Sequence, residues 1–103
     1  MSSDGHLPES TRAALEERLR ELVRRRAREL GADDPVELPE VGREPVPRDA
    51  PRWFPVPGMY GGFAWWTEGD ALVVESWSRV VGGSGQRHRL TVAGAELVES
   101  GFV

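Results

Sequence analysis

The chain has no cysteine, which removes disulfides, thiolate metal sites and cysteine nucleophiles and fits a reducing, cytoplasmic setting. It has no lysine either. All 13 basic residues are arginine, so neither a Schiff-base lysine nor a P-loop lysine exists, and the bias suits a GC-rich bacterial genome. Histidine occurs only as His6 and His88, too far apart for zinc-type ligand spacing, and the acidic residues form no calcium-loop pattern. No apolar run approaches the length of a membrane span and no charged-then-apolar start resembles a signal peptide, so no membrane association is expected. A net charge of -4 argues against attraction of the whole molecule to nucleic acid. No motif implies a cofactor.

What is present suits one small α+β domain. At 103 residues, 39% hydrophobic and 29% charged, the composition is that of an ordinary globular protein with room for a single core. The expected layout is a disordered N-terminus over 1–6, a helix over 7–31, an extended proline-rich segment over 32–57, a three-stranded antiparallel meander over 58–92 and a short helix over 92–100.

The first helix is legible in its spacing. Leu15, Leu19, Leu22, Val23 and Leu30 fall on one stripe of a 3.6-residue wheel, and Glu16/Arg20, Glu21/Arg25 and Arg25/Glu29 can pair on the other side. Pro8 suits the first turn and Gly31 a left-handed C-cap. The run Arg24 to Arg28 reads as a solvated face neutralised by its glutamates rather than as a nucleic-acid patch. Arg26 is the exception: the wheel places it inside the apolar stripe, so it must snorkel, pair with an acid from elsewhere, or mark an interface with another chain, such as a homodimer.

Seven prolines between Pro35 and Pro57 forbid helix and central strand alike. Regular apolar residues nevertheless predict that Trp53 to Pro57 lies against the sheet, covering apolar surface, with Pro39 to Ala50 looser. After Gly58 the period becomes two. A hairpin turning at Glu68-Gly69-Asp70 puts Phe63 and Trp65 on one face with Leu72 and Val74, and Tyr60, Ala64 and Trp66 on the other with Val73 and Trp77. Both faces are apolar near that turn, so both need cover.

A second hairpin is expected to turn through Gly82 to Gly85, pairing Val81 with Gln86, Arg79 with His88, Trp77 with Leu90 and Glu75 with Val92. Thr91 can then cap the short C-terminal helix. The string from Leu90 to Val98 resembles the L-T-x-x-G-x-x-L-L stretch of winged-helix regulators. That resemblance covers under a tenth of the chain and implies a strand running into a capped helix, while prolines occupy the place of the accompanying helix-turn-helix.

This register would bring Trp77, Arg79, Gln86 and His88 to one side, with Glu75 further along. The Gly83-Ser84 turn with Arg87 and Arg89 offers backbone N–H groups for an anion, although simple turn chemistry is the favoured account of the glycines. The aromatics exceed what one small sheet face hides, so at least one indole is expected at the surface, Trp66 among the candidates. The function these features favour is non-catalytic binding of a protein partner or a small anionic ligand through this sheet face and hairpin. A single-stranded nucleic-acid module using Trp66, Trp77, Arg79, Arg87 and Arg89, and a small enzyme using His88 as acid or base, are the rival readings.

Overall fold

The computed structural model describes residues 6–102. Of the residues 1–6 expected to be disordered, 1–5 lie outside the described residues, His6 is described, and the next residue, Leu7, is buried in the core.

Helix α1 spans Glu9–Glu29. Pro8 sits one position before the helix, as its N-cap, with its carbonyl accepting the Arg12 amide at 2.8 Å. At the other end the Ala32 amide donates to the Ala27 carbonyl and the Gly31 amide to that of Arg28, with Gly31 at φ +85°, a Schellman closure that only glycine adopts without strain. Leu15, Leu19, Leu22 and Val23 are buried as the spacing requires. Two of the expected helix pairs, Glu16/Arg20 and Arg25/Glu29, lie at 3.7 and 3.9 Å, while Glu21 pairs with Arg18 instead of Arg25.

Residues 52–102 form a single antiparallel sheet in the order β1-β2-β3-β4-β5, with β1 Arg52–Val56, β2 Gly61–Glu68, β3 Ala71–Ser78, β4 Gly85–Thr91 and β5 Gly94–Phe102. The expected three-stranded meander with a C-terminal helix is thus corrected to five strands and one helix among the described residues. Two segments account for the difference. Residues 52–56 join the sheet as an edge strand instead of covering it, a position that tolerates Pro55 because its missing N–H can face away from the ladder. Residues 94–102 form the opposite edge instead of a helix over 92–100, since β4 otherwise leaves its outer ladder groups unpaired. Thr91 caps the tight Val92-Ala93 turn, accepting the Ala93 amide at 3.2 Å, so the junction resembling winged-helix regulators is a hairpin.

The first hairpin forms as its glycine indicates. Glu68 pairs with Ala71 around Gly69-Asp70, Gly69 has φ +61°, and Trp65 pairs with Val74. The second does not take the expected register. Val74 opposes His88, Glu75 opposes Arg87 and Ser76 opposes Gln86, with residues 79–84 as the loop. Ser84 fixes this longer loop by reaching back to Ser78: its hydroxyl accepts the Ser78 amide and donates to the Ser78 carbonyl, both at 2.9 Å. The shift is an odd number of residues, so every side chain of β4 changes face relative to expectation.

Helix α1 covers one face of the sheet, packing on β3 and β4 over Phe63, Trp65, Leu72, Val74 and Leu90. The segment expected to be loose is tied to this layer. Glu16 accepts the Val41 amide at 2.9 Å, Arg20 donates to the Pro39 carbonyl at 3.0 Å, and Leu7 and Arg43 exchange bonds. Val46 then extends along β2, where its carbonyl accepts the Thr67 amide. On the other sheet face, which no helix covers, Ala64, Trp66 and Val73 are nevertheless buried, with the Arg48 guanidinium 5.3 Å from the Trp66 ring, while the end at Trp53 and Tyr60 is exposed.

Candidate functional site

The register decides which predicted residues meet. His88 points under α1, 4% exposed, with Nε2 at 3.3 Å from an Arg25 guanidinium nitrogen and Nδ1 without a hydrogen-bond partner. Burial, then the charges of Arg25 and Arg26, push its pKa down to about 4. It is therefore a neutral ring at physiological pH. Gln86 shares that covered face, whereas Trp77, Glu75 and Arg87 lie on the open one, and Arg79 sits exposed at the start of the loop. The indole, guanidinium and imidazole expected on a common side are thus divided between the two sides of the sheet.

The other predicted residues are occupied within the fold. Arg26 is 3% exposed; its Nε donates to Ser76 Oγ at 2.8 Å, Nη1 to Glu29 at 2.9 Å and Nη2 to the Ser84 carbonyl. One guanidinium thereby joins helix, strand and glycine loop, and its place in the apolar stripe is matched by acceptors within the chain. In that loop Gly83 holds φ +71° and Ser84 is committed to Ser78 and Arg26. Arg87 bridges Glu75 at 2.6 Å and Glu99 at 2.5 Å, which holds its pKa above the ordinary arginine value, the Glu75 hydrogen bond being the largest cause. Trp66 is buried and donates its indole N–H to Glu68 at 3.1 Å. Arg89 is exposed.

A different group of residues forms a cavity. Between the end of β1 and the start of the 79–84 loop, on the open sheet face, lies a cleft of about 530 Å³ walled by Trp53, Pro55, Tyr60, Trp77, Arg79 and Val80. Trp53 and Trp77 meet edge to face at 5.6 Å and 90°, a favourable arrangement that fixes two perpendicular walls. Its floor is Gly61-Gly62. A Cβ on Gly62 would come within 2.6 Å of the Phe54 carbonyl oxygen, so the glycine is what lets β1 and β2 close up beneath the rings. Tyr60 holds φ +57°, an uncommon conformation for a residue with a side chain, secured by the Arg79 amide donating to its carbonyl at 2.9 Å.

The cleft is exposed and apolar at once. Trp53 is 65% and Tyr60 67% exposed, Val80 is also exposed, and Trp77 is half-buried behind them. Arg79 makes no ion pair with any described residue, and no carboxylate lines the cavity. Such a site can hold an apolar or planar group between rings and neutralise one negative charge at its rim. It brings together no nucleophile and base. The sequence reading placed Trp77 and Arg79 in a site but missed Trp53, Pro55, Tyr60 and Val80. The surplus of aromatic residues was the one available signal, and Trp53 is the exposed indole it required.

Among the described residues no group of His, Asp and Glu side chains could hold a metal ion, and no helix is long and apolar enough to cross a membrane. No protein-family model matches the chain, and comparison with curated proteins and with solved structures finds no relative.

Proposed function

We propose that this protein is a non-catalytic binding module whose cleft takes a short peptide segment of a protein partner, an apolar side chain entering between Trp53, Tyr60 and Trp77 while an adjacent carboxylate meets Arg79. The observation that carries this reading is the combination of exposed aromatic walls with a guanidinium that has no acid partner among the described residues. Large rigid rings supply contact area at little cost in side-chain freedom, and aromatic residues with arginine dominate the energetics of protein recognition. A free small anion would leave most of the apolar lining without use, so a peptide suits the cavity better. The rival readings draw less support. Trp66 is buried and Arg87 is neutralised by two glutamates, so neither forms a platform for nucleobases, and His88 is buried and does not line the cleft.

Selection from a displayed peptide library against the full chain tests this. Recovered peptides should carry an apolar residue next to Asp or Glu, and their affinity should fall about tenfold or more, ~1.4 kcal/mol, in Trp53→Ala and in Arg79→Ala but not in His88→Gln. Peptides of unrelated composition, or binding indifferent to both cleft variants, would remove the reading.

A further inference from the structure

One loop of this chain has the chemistry that the cleft requires. Val36 is 100% exposed, and it stands between Asp33, Asp34 and Glu37, all exposed, with Pro35 fixing the backbone just before it. A lone exposed valine is ordinary. This one is held out on a proline-stiffened bend among three carboxylates, and among the described residues these acids make a single loose ion pair, 3.9 Å between Asp34 and Arg28, both largely exposed. An apolar tip flanked by acids complements an aromatic cleft whose guanidinium has no ion-pair partner among the described residues.

The position of the loop matters as much. Phe54 and Pro55 line the cleft, and they also line a second groove of about 440 Å³ whose far wall is the 33–37 loop. Tip and cleft therefore occupy the two flanks of one short stretch of β1. A two-fold axis near Pro55 carries each tip toward the other copy's cleft, the self-complementary placement that an isologous dimer needs.

Building on the cleft's proposed role, we infer that its occupant is the Asp34-Pro35-Val36-Glu37 tip of a second copy of this chain, the two copies exchanging tips reciprocally. Val36 of each copy enters between the partner's Trp53 and the partner's Tyr60, and the neighbouring carboxylates meet the partner's Arg79. The exchange closes at two copies, leaving neither a free tip nor a free cleft to propagate a fibre. One loop and one cleft per copy lie at the small end of the interface range, below about 1,200 Å² in total, so the dimer is weak and depends on concentration.

Sedimentation velocity on the full chain across a range of concentrations tests this, with Val36→Ser, Arg79→Glu and the double variant Glu37→Arg, Arg79→Glu. All these positions are exposed, and circular dichroism checks that each variant is folded. Wild-type protein should pass from monomer to dimer as concentration rises. Each single variant should weaken the dimer about tenfold or more, and the charge-reversed double variant should recover most of the loss relative to Arg79→Glu alone. A dimer indifferent to Val36→Ser and Arg79→Glu overturns the inference. So does a wild-type chain that stays monomeric. If that monomer still binds library peptides through Trp53, only the second-copy occupant is lost; if it binds none, the binding role of the cleft falls with it.

Discussion

Replacing Arg26 by alanine probes the join between the helix and the sheet. The substitution leaves the Ser84 carbonyl and the Ser76 hydroxyl, both in buried residues, without the donor they now share. A buried polar group left unsatisfied costs about 1–3 kcal/mol, so the two together cost roughly 2–6 kcal/mol. The bond to Glu29 adds little, because that carboxylate is half-exposed and an ion pair in contact with water contributes about 0–1 kcal/mol. Loss of the buried aliphatic stem works in the same direction. The expected total is about 3–4 kcal/mol, a large part of the ~5–15 kcal/mol by which a domain is stable. Urea unfolding followed by tryptophan fluorescence and by far-ultraviolet circular dichroism measures it, with exposed Arg24→Ala as the control, expected within about 0.5 kcal/mol of wild type. Arg26→Met, which keeps the stem and fills the space, should fall between them. If Arg26→Ala unfolds at the same urea concentration as Arg24→Ala, the guanidinium does not join helix, strand and loop as described.

Two further outcomes follow from the packing. His88 titrates near pH 4 in the folded protein against an ordinary value of 6.5. The unfolded chain therefore binds the proton first as pH falls, and the stability contributed by the neutral ring is complete above about pH 6.5 and lost between there and about pH 4. After allowance for solvent screening the loss is on the order of 2 kcal/mol, and His88→Gln should be less stable or equal at pH 7 yet lose that much less than wild type over the same window in paired urea titrations. An identical pH dependence in the two proteins would contradict the burial of a neutral imidazole between Arg25, Arg26 and the sheet. Gly62→Ala should cost about 1–3 kcal/mol through its collision with the Phe54 carbonyl, with faster amide exchange along β1, whereas Gly42→Ala, which meets open space, should show neither effect.

What could be read from the sequence was local. The Leu15 to Leu30 stripe, the Gly31 stop, the Gly69 turn and the division of Phe63 and Trp65 from Ala64 and Trp66 each depend on residues a few positions apart, and each is found in the structure. The second hairpin depended on something else. Three glycines and a serine allow several loops, and the choice among them is made by the Ser84 hydroxyl closing on Ser78 and by Arg26 arriving from the helix fifty-eight positions away to take the Ser84 carbonyl. The wrong loop length inverted β4 and with it the position of His88. The C-terminal strand was missed for a related reason. Adjacent Leu97 and Val98 do not alternate with polar residues in the manner of a half-buried strand; both remain exposed on an edge whose pairing with β4 is a property of the whole sheet. The cleft lay furthest from sight, because Trp53, Tyr60 and Trp77 come from a strand, a left-handed corner and another strand that β2 brings side by side.

The four indoles allow the most direct test of the claim that ligands meet this protein at the open end of β1 and β3. Nitrogen-15 spectra recorded while a selected peptide is added should move the indole N–H signals of Trp53 and Trp77 and leave those of Trp65, under the helix, and Trp66, bonded to Glu68, in place. Shifts confined to Trp65 or Trp66, or centred on His88 with Trp53 and Trp77 unmoved, would place recognition elsewhere and contradict the account.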